Sequence, residues 1–183
     1  MGLQIEDGGG SGKIATVDSD GKLDVRAIVH SHDFNINRAS GKVWSCPFGP
    51  RDPTGASDYV FYIKNTGSAD LSITDVRLST TGAIGRFQLN LVTGTAASGT
   101  TVVPVSRNTG STAAPVATIE DGVNITGLTT AGTLFYMECD AVSKVAHLST
   151  SANIILAKGG AFGILAESAT SVVTGVVSVV ELD

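Results

Sequence analysis

Tyr59-Val60-Phe61-Tyr62-Ile63-Lys64, then Asn65-Thr66-Gly67-Ser68-Ala69-Asp70, then Leu71-Ser72-Ile73-Thr74-Asp75-Val76-Arg77-Leu78 sets the fold class. Aromatic and β-branched residues fill the first run, turn formers the second, and the third alternates. Strict alternation puts Leu71, Ile73, Asp75 and Arg77 on one face and Ser72, Thr74, Val76 and Leu78 on the other. A bulge near Thr74-Asp75 would bring the four apolar residues together.

The same rhythm continues downstream. Phe87, Leu89 and Leu91 alternate with Arg86, Gln88 and Asn90. Thr100 to Val105, Val116 to Ile119, Val123 to Ile125, Leu134 to Met137, Ala152 to Ala157, Ala161 to Ala166 and Val172 to Val180 are further short strands, with Gly159-Gly160 as a hairpin turn. No helical period holds over a useful window, and sixty of the 183 residues are Gly, Ser or Thr. The body, residues 43–183, therefore reads as an all-β antiparallel sandwich or barrel. Pro47, Pro50 and Pro53 are expected to break regular structure as far as Ser57. Trp44, Tyr59, Phe61 and Tyr62 read as core.

Upstream lies an arm, residues 1–42. Asp7-Gly8-Gly9-Gly10-Ser11-Gly12 ends a tether, and Lys13 to Val17, the turn Asp18-Ser19-Asp20-Gly21 and Lys22 to Val29 form a hairpin or strand. Leu23, Val25, Ala27 and Val29 make one apolar face, which is too little surface to stand alone. With Ile14 and Val17 they are the candidate interface residues.

Charge narrows the function. Twelve basic against seventeen acidic residues give −5, which argues against a nucleic-acid partner. No apolar run is long enough for a bilayer-spanning helix, and no secretory signal is visible. Only 16 of the 131 residues after Asp52 are charged, about half the usual density, so part of the surface is expected to lie under other subunits.

Chemical motifs fail one by one. Gly8 to Lys13 has Asp7 where a phosphate loop needs Gly and Ile14 where it needs Ser or Thr. His30, His32 and Asp33 lack companions for a metal site, and Asp18, Asp20 and Asp24 lack calcium-loop spacing. Cys46 and Cys139 form no Cys-x-x-Cys motif and suit a reducing cytoplasm as buried apolar residues. No Gly-x-Ser-x-Gly elbow exists. Neither catalysis nor a cofactor or metal is expected.

Lys13-Ile14-Ala15-Thr16-Val17-Asp18 with Gly21-Lys22-Leu23, then Asn35-Ile36-Asn37, Tyr62-Ile63-Lys64-Asn65-Thr66 and Asp70-Leu71-Ser72-Ile73, resembles the opening of tailed-bacteriophage virion structural proteins, over residues 5–78. The resemblance implies a jelly-roll-like sandwich on an N-terminal arm, coating a capsid as a homotrimer of the decoration (cement) type. It also implies the major capsid protein and sister subunits as partners, assembly in the host cytoplasm and a final place on the capsid exterior. It carries no catalytic residues. A tail, neck or fibre component that binds host glycan is the alternative, for which Trp44 would be the aromatic to test.

Overall fold

The structure is a computed structural model that describes residues 5–6, 14–17, 23–24, 36–37, 39–82, 85–139, 144–167 and 172–182. The chain divides into two units, Met1–Ser31 and His32–Asp183.

In the first unit β1 (Ile5–Glu6), β2 (Ile14–Val17) and β3 (Leu23–Asp24) form a three-stranded antiparallel sheet in that order. Ile5 and Glu6, read from the sequence as part of the tether, pair with Ala15 and Ile14. β2 and β3 pair antiparallel, with Val17 opposite Leu23; the turn expected across Asp18–Gly21 lies outside the described residues.

The second unit holds β4 (Val43–Arg51), β5 (Asp58–Asn65), β6 (Leu71–Thr80), β7 (Gly85–Gly94), β8 (Thr100–Thr101), β9 (Val105–Ser106) and β10 (Ala117–Asp121). It continues with β11 (Leu128–Cys139), β12 (Val145–Leu156), β13 (Ala161–Ala166) and β14 (Val173–Glu181). One sheet has the order β11-β7-β13-β5-β10-β8 and the other β12-β6-β14-β4-β9. Eight strands, β4 to β7 and β11 to β14, switch sheets at every connection except β7 to β11. Their orders, β11-β7-β13-β5 and β12-β6-β14-β4, are those of a jelly roll. The all-β sandwich expected from the sequence is what forms.

The bulge near Thr74-Asp75 is there. Asp75 faces Ser178 and Ile73 faces Val179, so Thr74 is the extra residue. Leu71, Ile73, Val76 and Leu78 all enter the core as a result. Facing them are Phe61 and Ile63 of β5, Phe87 and Leu89 of β7, and Phe162 and Ile164 of β13, every one of them buried.

Three local expectations change. β4 runs through Pro47 and Pro50 instead of stopping. β9 covers β4 only at Trp44 and Ser45, so from Cys46 onward β4 is an edge, where a missing N–H is tolerated. Gly159-Gly160 is a tight turn, with Gly159 at φ +82°, but it joins β12 and β13 of opposite sheets, not a hairpin. Val123 to Ile125 is not a strand. Ile125 instead joins Tyr59, Tyr62, Val92, Ala161 and Leu165 in a second apolar cluster, to which Ala96 and Leu128 add partly buried surface.

Candidate assembly surface

The residues between β7 and β11 make one side of the sandwich different from the other. In a jelly roll this connection stays in one sheet. Here it carries β8, β9 and β10, and it extends both sheets: β10 and β8 beyond β5, β9 beyond β4. Because β8 and β9 lie in opposite sheets, the intervening chain crosses from one to the other and closes that side.

This crossing is anchored at many points. Val102 N–H donates to the Ile119 carbonyl at 2.9 Å, and Arg107 N–H to that of Val43 at 2.9 Å. The Arg107 guanidinium donates to Ser45 Oγ at 3.0 Å and also to Ser178 Oγ. Trp44, 1% exposed, donates Nε1–H to the Ala113 carbonyl at 2.9 Å. The Val116 carbonyl accepts from the Thr66 and Gly67 N–H groups at 3.0 and 2.9 Å. At one end Asp121, buried on β10, accepts from Gly49 N–H at 2.9 Å and Arg51 Nη2 at 2.6 Å. That carboxylate ties β10 in one sheet to β4 in the other. The pairing also raises the Arg51 pKa, chiefly through the hydrogen bond.

On this fixed backbone sit Val103 at 74% exposure, Val105 at 55% and Val116 at 56%. Between Arg86 and Glu120 the sequence holds one charged residue, Arg107. Alongside exposed Arg107, Thr109 and Thr112, the anchored backbone holds these three apolar side chains outward.

On the opposite, open side no strand among the described residues pairs beyond the outer two. β11 and β12, twelve residues each, are the outer strands of the two sheets. Their only formal charge is Glu138, with His147 the one other titratable basic residue. Their ladders are broken instead: β11 against β7 after Thr130 and again after Thr133, β12 against β6 between Ser149 and Ile154. Such irregularities turn an edge away from a second strand.

Sequence-predicted residues distribute as follows. Ile14 and Val17 lie on β2 and Leu23 on β3, while Val25, Ala27 and Val29 fall outside the described residues, as do His30, His32 and Asp33. His147 Nε2 lies 2.5 Å from Asp75 Oδ1, whose other oxygen accepts from Arg77 Nε at 2.9 Å. Cys46 and Cys139 are unpaired and buried, and burial pushes the Cys46 thiol up to about 12 against a smaller pull from Arg107. Trp44, Tyr59, Phe61 and Tyr62 are core, so Trp44 offers no platform to a ligand. Among the described residues no three His, Cys, Asp or Glu side chains gather as metal ligands, and no helix is long and apolar enough to cross a membrane.

Val103, Val105 and Val116 were not among the interface residues expected from the sequence. The signal that finds them is the gap in charge between Arg86 and Glu120. Comparison of the chain with protein-family models, curated proteins and solved structures finds no match.

Proposed function

We propose that this chain is a non-enzymatic virion structural subunit, a decoration protein on the capsid exterior that meets its sister copies through the closed, valine-bearing side and holds the shell through its arm. The observation that carries this reading is the anchored run from Val103 to Val116, apolar at its tips and charged only at Arg107. A chain of net charge −5 repels its own copies wherever carboxylates meet. Where there are none, two copies meet without that cost, and each half- to three-quarters-exposed valine that is covered contributes about 1 kcal/mol. A contact burying about 800 Å² per partner is enough for stable association, and repetition over a shell multiplies weak contacts.

The jelly-roll strand order supports the reading at the level of fold, and so does the resemblance of residues 5–78 to phage virion proteins. A homotrimer is the assembly this resemblance implies, with the major capsid protein beneath it and assembly in the host cytoplasm. The arm's role follows from its size. Strands of two, four and two residues gain most by adding to another subunit's sheet or groove.

Removing residues 1–31, the first unit, tests the arm. The shortened chain is expected to keep its thermal transition and to stop cosedimenting with shells that lack the protein; retained cosedimentation contradicts the proposal. Copy number fixes the location, since hundreds per particle mark a shell protein and a handful a neck or tail component.

A further inference from the structure

On the open side, the outer face of the six-stranded sheet carries an aromatic ring in a polar frame. Tyr136 is 72% exposed, the one large aromatic in that state among the described residues. Register places it directly opposite Gln88, and Glu138 directly opposite Arg86. Neighbours on adjacent strands lie about 5 Å apart and alternate residues of one strand about 7 Å. The four side chains thus occupy a patch the size of one hexose ring. Glu167, just past β13, completes it. Its N–H donates to the Arg86 carbonyl at 2.9 Å, and its Oε1 accepts from Gln88 Nε2 at 2.6 Å. Arg86 Nε donates to Glu138 Oε2 at 3.3 Å. Together Arg86, Tyr136, Glu138 and Glu167 line an open depression of about 350 Å³.

We propose that this depression binds a neutral pyranose, as a terminal or internal unit of an oligosaccharide. A pyranose has an apolar face of C–H groups and a rim of hydroxyls that both donate and accept. Tyr136 offers an exposed ring to the face. Two carboxylates and a guanidinium around it offer planar pairs of acceptors and donors to vicinal hydroxyls, with the Gln88 carboxamide holding Glu167 from the side. Two carboxylates against one guanidinium leave the frame net negative, which disfavours sialylated, sulfated or phosphorylated sugars and nucleic acid. A protein partner fits less well: Gln88, Arg86 and Glu138 border Tyr136 and Leu134 is the one exposed large apolar residue near it on its strand, so the broad apolar centre of a protein interface is missing. Strands fix the backbone, and the mutual hydrogen bonds hold Gln88 and Glu167 in place before a ligand arrives, which lowers the ordering cost of binding.

The site is independent of the proposed assembly surface. β11 and β8 are opposite edges of one six-stranded sheet, about 24 Å apart at the usual strand spacing. The full chain is titrated by saturation-transfer NMR with neutral di- and trisaccharides of glucose, galactose, mannose and N-acetylglucosamine, with sialyllactose as the anionic arm. At least one neutral sugar is expected to bind in the millimolar range or tighter, and sialyllactose more weakly than lactose. Tyr136→Ala is expected to weaken binding about tenfold, as loss of a stacking partner does, and Tyr136→Phe to retain it. The variant Val103→Lys/Val105→Lys is expected to leave sugar binding unchanged, which separates this site from the assembly reading. A panel with no neutral binder, a Tyr136→Ala variant that binds as the parent does, or a protein partner captured at Tyr136 in place of sugar overturns the proposal. Tyr136 is exposed, so an unchanged thermal transition in Tyr136→Ala confirms that any loss is local.

Discussion

The two sides of this sandwich solve one problem, the unpaired sheet edge, in opposite ways. On the closed side the outer strands are two residues long, an anchored crossing passes between the sheets, and the edge left on β4 from Cys46 onward is interrupted by Pro47 and Pro50, so little ladder is left to extend. On the open side the outer strands are twelve residues long and nearly uncharged, and irregular pairing guards them. The closed side gives up backbone pairing and presents side chains; the open side keeps long strands and presents a framed tyrosine. Association is therefore expected through side-chain packing on the first and small-ligand contact on the second.

The largest effect belongs to the bulge on which the register of the open side depends. Deleting Thr74 turns either Leu71 and Ile73 or Val76 and Leu78 out of the core. This is expected to cost about 5 kcal/mol or more, enough to abolish a cooperative thermal transition. A variant that melts like the parent would show that β6 tolerates either register.

Next comes a matched pair of carboxylates, one from each side. Asp121→Ala on the closed side strands a partly buried Arg51 contact and an N–H, and is expected to cost about 2 kcal/mol, a fall of about 4–8 °C in Tm. Glu138→Ala on the open side removes an exposed pair and is expected to change stability by about 0.5 kcal/mol or less. Equal losses would contradict the contrast between the two sides.

A smaller effect depends on pH. Burial keeps the Cys46 thiol neutral in the folded chain to about 12, against an ordinary value of 9.0. The unfolded chain ionises first, so stability holds below pH 9 and falls above it, by up to about 1.4 kcal/mol per pH unit. Urea denaturation at pH 8 and pH 10 is expected to show this slope in the parent and a shallower one in Cys46→Ala; identical slopes would mean that the thiol is not the cause.

Much of this was legible in the chain itself. Alternation in Leu71–Leu78 was enough to demand the bulge, because four apolar residues split between two faces cannot share one core. Turn formers and β-branched runs marked most of the strands. What local pattern could not give was which sheet each strand joins. Gly159-Gly160 looks like a hairpin turn by composition, yet its flanking strands find partners far along the chain. Pro47 looked like a breaker because its tolerance depends on β4 becoming an edge, a fact of topology. Thr100 to Val105 reads as one strand but serves two sheets, so the exposure of Val103 and Val105 was invisible without the fold. Tyr136 escaped for the same reason, since Gln88 and Arg86 of β7 and Glu167 just past β13 reach it only through the fold.

The account stands or falls on whether the closed side is where copies meet. Sedimentation velocity of the full chain and of Val103→Lys/Val105→Lys measures this directly. Exposed positions of this kind change stability by about 0.5 kcal/mol or less, so both chains are expected to melt alike, the parent sedimenting as an oligomer that dissociates on dilution and the variant as a monomer. A parent that is monomeric throughout, or a variant that assembles as the parent does, would contradict it.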